Sequence, residues 1–262
     1  MPTTKQNGSG TSRPRRLLLC LDGVPHALIE SAKERGLFDA FGKPTRLLSP
    51  FPTMTNVALS AMFSATPPAG YESLYFDRDA KSLVGGVRKY VGRRTPDKIP
   101  SSYMDELDYQ EPLAFEFLIY VAPERIWRAD MGRFHEQFCA APQTRDYFAF
   151  LKATDGLLHA QGPERLNIAL ESLDKILRDI QRHSGKETEI VLFSDHGMNL
   201  EENKRVGIAE HLRRKNIQAG PQLSNGGRAV SIPAFGLCSY VAVYCAHNAL
   251  IPETAEALIE LP

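Results

Sequence analysis

Apolar residues fall in short continuous runs along this chain, and small, acidic or turn-forming residues bound most of them. The run 17–21, Leu-Leu-Leu-Cys-Leu, shows no polar alternation, which predicts a strand buried on both faces. Runs at 45–49, 115–121, 147–151, 190–193, 230–232 and 240–245 are predicted strands on similar grounds. Between them the period changes. Leu166, Ala169, Leu170, Leu173, Ile176, Leu177 and Ile180 recur at helical spacing, so 163–183 is predicted as a long amphipathic helix. Further helices are predicted at 27–35, with Gly36 as C-cap, at 56–65, 127–138, 201–215 and 252–260. Pro50 and Pro52 enforce an extended loop before the helix at 56–65. Residues 77–112 are polar and carry prolines and a Gly85-Gly86 pair, which predicts loop and surface helix.

Strands alternating with helices predict an α/β fold, with a mostly parallel central sheet and helices on both faces. The expected organisation is a disordered tail over residues 1–15, then one α/β domain over 16–262 with a cap or loop insertion at about 70–112. Thirty-one basic and 31 acidic residues give zero formal charge, which argues against a nucleic-acid polymer as partner. Local basic clusters, Arg13, Arg15 and Arg16, then Arg213, Arg214 and Lys215, read as solvated surface. Cys20, Cys139, Cys238 and Cys245 form no CxxC pair and read as reduced thiols, which places the protein in the cytoplasm. The first apolar run is too short for a signal peptide, and no stretch approaches a membrane span of about 20 residues. A soluble chain without membrane association is therefore expected.

Three predicted strands lead into aspartates. The run 17–21 precedes Asp22-Gly23, the run 147–151 precedes Asp155 by a short turn, and 190–194 precedes Asp195-His196-Gly197. Ligands of open α/β sheets bind beyond the carboxyl ends of the strands, so parallel neighbours would bring these aspartates to one rim. Asp155 and His159 lie four apart, on one face of a helical turn. Carboxylates with neutral imidazoles suit zinc and related ions. In Pro52-Thr-Met-Thr55-Asn56, the loop delivers Thr55 to the start of a helix, where backbone N–H groups attract phosphate oxygens. Each feature alone has a plainer use: Asp155 as a helix cap, His159 as a surface residue, Thr55 as an N-cap.

Together, Leu-Asp22-Gly, Pro-Thr-Met-Thr55-Asn, Asp155-x-x-x-His159-x-x-Gly162 and Ser-Asp195-His196-Gly-Met198 resemble the type I phosphodiesterase/nucleotide pyrophosphatase group of the alkaline phosphatase superfamily. Order and rough spacing agree over residues 17–198, and Ser-Asp-His-Gly-Met is the most specific piece. The resemblance implies an alkaline-phosphatase-like fold and a metal-dependent phosphoester hydrolase acting through a phospho-threonine intermediate. It implies two divalent ions, zinc by preference. One would be held by Asp22, Asp195 and His196 with the Thr55 hydroxyl, the other by Asp155, His159 and a further histidine. Thr55 would be the nucleophile, and the substrate a small phosphoester.

The further histidine has no convincing counterpart. His211 lies in a charged helix pattern and reads as a surface residue, and His247 lacks a glycine-rich setting. The expectation is that a C-terminal part carrying this ligand lies beyond Pro262. The segment after the nucleophile helix, Tyr71-Glu-Ser-Leu-Tyr-Phe76, also lacks the phosphate-binding asparagine of many nucleotide pyrophosphatases. A second function therefore stands beside the first: a catalytically impaired member that binds a phosphorylated ligand or partner without turnover.

Overall fold

A computed structural model describes residues 13–66, 70–71, 74–85, 103–112, 118–119, 121–184, 188–201, 204, 206–224, 227–233 and 240–261. The chain divides into two compact units. The first comprises Met1–Leu21, Leu28–Lys43 and Leu107–Ser194; the second comprises Asp22–Ala27, Pro44–Glu106 and Asp195–Pro262. The predicted tail falls almost wholly outside the described residues, and most of the predicted strand at 115–121 does too.

The first unit is built on a four-stranded parallel sheet of β1 (Arg15–Leu21), β5 (Tyr109–Gln110), β6 (Tyr147–Leu151) and β7 (Thr188–Ser194). Its order is β5-β6-β1-β7, with β1 between two partners. Leu17, Leu19 and Leu21 are at most 1% exposed, and β6 is buried throughout. Burying each such leucine contributes roughly 1.5–3 kcal/mol before entropy is counted, which is why an unalternating apolar run becomes an inner strand.

Helices α1 (His26–Glu34), α3 (Pro123–Ala140) and α4 (Ala153–Ser184) flank this sheet. The α3–α4 face is filled by Phe134, Phe138, Leu166, Leu170 and Leu173, each at most 1% exposed. Helix α4 is two helices joined at Gly162, whose φ of 75° and ψ of −174° are not helical. Glycine reaches this conformation without a Cβ penalty, and Pro163 then opens the second helix where its missing N–H costs nothing. That second helix is the one read from the leucine spacing. Arg15, read as surface, is 7% exposed: its guanidinium lies 4.4 Å from the Phe138 ring centroid and donates to the Arg145 carbonyl.

The second unit holds α2 (Thr55–Phe63), the antiparallel sheet β2 (Gly70–Tyr71), β3 (Leu74–Asp77) and β4 (Ser82–Gly85), and a 3-10 turn at Tyr103–Glu106. It also holds β8 (Gln218–Ala219), β9 (Ala229–Ser231), β10 (Tyr244–Cys245), α5 (Ile208–Arg214) and α6 (Leu250–Ile259). Leu212, Ile217, Val230, Leu250 and Ala257 form its core. Phe76 stacks on Tyr244 at 4.3 Å. Within the predicted loop and surface helix of 77–112, the described residues give strand at Asp77 and Ser82–Gly85, a turn at 78–81 and the 3-10 turn at Tyr103–Glu106. Residues 45–49 are no strand: Leu47 and Leu48 are 74% and 93% exposed, and the described backbone there makes no ladder. The helix predicted over 201–215 is confined to α5. Among the described residues no helix is long and apolar enough to cross a membrane.

Candidate functional site

The site grows from strand register. Leu21, the last residue of β1, pairs with Leu151 of β6 and with Ser194 of β7. The next residues along β1 and β7 are Asp22 and Asp195, so both leave neighbouring strands at the same level. Gly23 turns the chain at once, with φ of 68°, and its N–H donates to Asp195 Oδ1 at 3.2 Å. Asp22 and Asp195 are 6% and 5% exposed. A buried carboxylate is costly unless it is paired or meets a cation.

Thr55 is the first residue of α2. Met54, in extended conformation, gives no side-chain cap. The N-terminus of a helix carries partial positive charge that favours an anion near Thr55, while the Val57 and Ala58 N–H groups donate to the Met54 carbonyl at 3.0 and 2.9 Å. The Thr55 hydroxyl donates to Asp22 Oδ1 at 3.1 Å and lies 3.1 Å from His196 Nε2. The same Nε2 lies 3.4 Å from Asp22 Oδ1 and 3.6 Å from Asp195 Oδ2. The structure therefore brings together Asp22, Thr55, Asp195 and His196. Asp155 and His159 stand on the first turns of α4, with Nε2 and Oδ1 3.4 Å apart. There the Thr154 hydroxyl donates to the Leu151 carbonyl at 3.0 Å, closing the turn out of β6.

Whether these groups suit a metal can be judged from their spacing. Ligands at about 2.0–2.1 Å around a tetrahedral ion stand about 3.3–3.4 Å from one another. Thr55 Oγ, Asp22 Oδ1 and His196 Nε2 stand 3.1–3.4 Å from one another, and Asp195 Oδ2 stands 3.6 Å from His196 Nε2. Asp195 Oδ2 is buried and has no hydrogen-bond partner among the described residues. Electrostatics agree. Burial works to lower the His196 pKa, yet its bond to Asp22 and the charges of Asp195 and Asp22 push it up to about 10. Burial likewise pushes Asp195 above the usual carboxylate range. The pocket demands positive charge, and the donor set fits a divalent cation.

Other residues resolve differently. His211 is buried, not on the surface; its Nε2 lies 2.6 Å from the Ala257 carbonyl, where α5 packs on α6. His247 is exposed. Trp127 is 3% exposed and serves the core. Arg145 pairs with Asp108 at 2.6 Å and Arg228 with Glu253. Sequence reasoning passed over Tyr103, which donates its hydroxyl to Asn56 Oδ1 at 2.8 Å; a contact 47 positions along the chain leaves no local pattern.

The fold is of the α/β class, a parallel sheet flanked by helices, in keeping with an alkaline-phosphatase-like architecture. The family model of type I phosphodiesterase / nucleotide pyrophosphatase matches residues 74–255, and the chain belongs to this family, within the alkaline phosphatase superfamily. The matched segment contains Asp155, His159, Asp195 and His196, and starts after Asp22 and Thr55. Membership supports phosphoester hydrolysis in general, and a phosphoester or nucleotide substrate fits it. No curated protein and no solved structure matches the chain.

Proposed function

We propose that the protein is a metal-dependent phosphoester hydrolase of phosphodiesterase or nucleotide pyrophosphatase type, with Thr55 as nucleophile. The observation that carries this reading is that Thr55 Oγ, Asp22 Oδ1 and His196 Nε2 stand at ligand-to-ligand distances from one another, with Asp195 Oδ2 3.6 Å from His196 Nε2. These four residues would hold one divalent ion, zinc or a close relative. Asp155 and His159 would serve a second. A bound divalent ion lowers the pKa of a coordinated hydroxyl or water and neutralises phosphoryl charge.

The chain's own groups do the rest. Thr55 Oγ attacks phosphorus in line, and the ester P–O bond opposite breaks. The hydroxyl proton passes to water, and the departing oxygen takes up a proton from water and leaves as an alcohol. Amides in the first turn of α2 hold a non-bridging oxygen. Water then hydrolyses the phospho-threonine and restores the hydroxyl. A cytoplasmic setting belongs to the same proposal.

The test is hydrolysis of bis-p-nitrophenyl phosphate and p-nitrophenyl phosphate with added Zn²⁺ or Mn²⁺, comparing the chain with Thr55→Ala. Metal-dependent release that is lost in the variant, with a phosphoryl group trapped by acid quench on the Thr55 peptide, supports the reading. Bound metal with no release at all overturns it in favour of a protein that binds phosphorylated ligands without turnover.

A further inference from the structure

We propose that the segment 43–51 docks the protein on an anionic lipid surface, with Leu47, Leu48 and Phe51 entering the apolar layer and Lys43 and Arg46 meeting the headgroups. Leu47, Leu48 and Phe51 are 74%, 93% and 80% exposed. Scattered surface leucines are ordinary, but three large apolar side chains within one short segment, each mostly in water, mark an interaction surface. Lys43 and Arg46 are exposed as well. No acidic residue stands between Asp39 and Glu72, so no carboxylate of this stretch opposes a negative surface.

The segment is held at its ends while its tip projects. Its backbone forms neither helix nor strand. The Pro44 carbonyl lies 3.4 Å from His26 Nε2, and the Phe51 ring meets the Tyr240 ring edge-on with centroids 5.6 Å apart. Pro44, Pro50 and Pro52 restrict the backbone further, so little freedom is left to lose on docking. The form of the tip selects the occupant. A protein partner packs at interior density and needs a matched shape. A leucine as exposed as Leu48 is a protrusion, and fluid acyl chains close around a protrusion of any outline. A peripheral contact of this kind joins burial of apolar area to attraction for anionic headgroups. It needs no spanning helix, and it is independent of the chemistry proposed for Thr55.

The test mixes the full chain with vesicles of phosphatidylcholine alone, or of two parts phosphatidylcholine to one part phosphatidylserine, and reads the bound fraction by co-sedimentation. Binding to the anionic vesicles is expected to exceed binding to the neutral ones and to weaken as salt rises. Leu47→Ser combined with Leu48→Ser should weaken it about tenfold or more, the scale of leucine side chains withdrawn from an apolar layer. Arg46→Gln should weaken it about fivefold. Ile259→Ser removes a side chain 82% exposed at the end of α6 and should change nothing. These positions all face water, so circular dichroism and Tm should match the parent. A direct readout is Leu48→Trp, whose emission should shift to the blue on anionic vesicles and be quenched by lipids brominated along the acyl chain, while Trp127 is buried away from them.

Absence of binding to the anionic vesicles overturns the proposal. So does undiminished binding of the Leu47/Leu48 double variant, or an equal loss in Ile259→Ser, which is the signature of non-specific adsorption. Emission from Leu48→Trp that is neither shifted nor quenched in the bound protein overturns it too. Self-association in sedimentation equilibrium that the double variant abolishes, without vesicle binding, overturns it in favour of a face covered by a second copy of the chain.

Discussion

Asp130 lies on α3 with no exposure, and it accepts a hydrogen bond from the Tyr109 hydroxyl while its second oxygen has no hydrogen-bond partner among the described residues. Burial dominates, and it pushes the carboxyl up to about 7 against the opposing effects of the Tyr109 bond and the Arg133 charge. A carboxyl in an unfolded chain titrates near about 3.9. The folded state therefore keeps a proton that the unfolded state releases, across a window from about pH 4 to about pH 7. Stability falls as pH rises through that window, by about 1.4 kcal/mol per unit, or about 4 kcal/mol in all, and levels off above it. Asp130→Asn mimics the protonated acid and retains an acceptor for Tyr109. It should remove this slope, so that variant and parent match near pH 4 and the variant is the more stable at pH 8 by a few kcal/mol. Urea unfolding followed by Trp127 fluorescence measures this directly, since the only tryptophan of the chain lies one helical turn away on α3 and is 3% exposed. The difference between the two proteins isolates this one group from every other carboxyl. A difference that stays constant from pH 4 to pH 8 would refute the reasoning.

Other perturbations reach different parts of the molecule. Asp195→Asn should lower bound zinc after gel filtration, read by elemental analysis, with the fold intact by circular dichroism; unchanged metal content counts against Asp195 as a ligand. Gly156→Ala would set a Cβ 2.5 Å from the Ile119 side chain, whose own Cβ stands 3.1 Å away and cannot yield easily. Overpacking of this kind costs about 1–3 kcal/mol, so Tm should drop by several degrees. Asp146 is held at about 2 chiefly by its side-chain bond to Arg16, with Arg13 adding to it. Because its folded pKa is depressed, its contribution is present above about pH 4 and lost as pH falls toward 2, and Asp146→Asn should flatten that acid limb of the unfolding curve.

What could be read in advance follows from how each residue is used. The strands β1 and β6 were legible because inner strands of a parallel sheet need apolar residues on both faces, and β7, at the end of the order, was legible from its Ile-Val-Leu-Phe run; the aspartates follow these runs. Thr-Arg-Leu-Leu-Ser at 45–49 has strand-forming residues but no ladder partner, and Leu48 is left in water. Propensity cannot report a missing neighbour. The β2–β4 sheet was hidden for the opposite reason: two- and four-residue strands are fixed by pairing with each other, not by their own pattern. His211 was masked by the charges around it, for α5 buries only that position and Leu212. The grouping of Thr55 with Asp22 and His196 was anticipated from motif order alone, whereas Tyr103 needed coordinates.

The placement of β1 between β6 and β7 also bears on how the chain comes off the ribosome. The strand is among the first described segments to be synthesised, yet Leu17 waits for Tyr147 on one side and Ile190 on the other. At ordinary elongation rates of about 5–20 residues per second, that second partner arrives roughly 10–30 s later. Until β6 emerges, Leu-Leu-Leu-Cys-Leu is a wholly apolar segment without a ladder partner, and until β7 emerges one of its edges stays open. The sheet must therefore close late in synthesis, and yield in a foreign host should depend on holding chaperones and on slower growth temperatures more than on any property of the finished site.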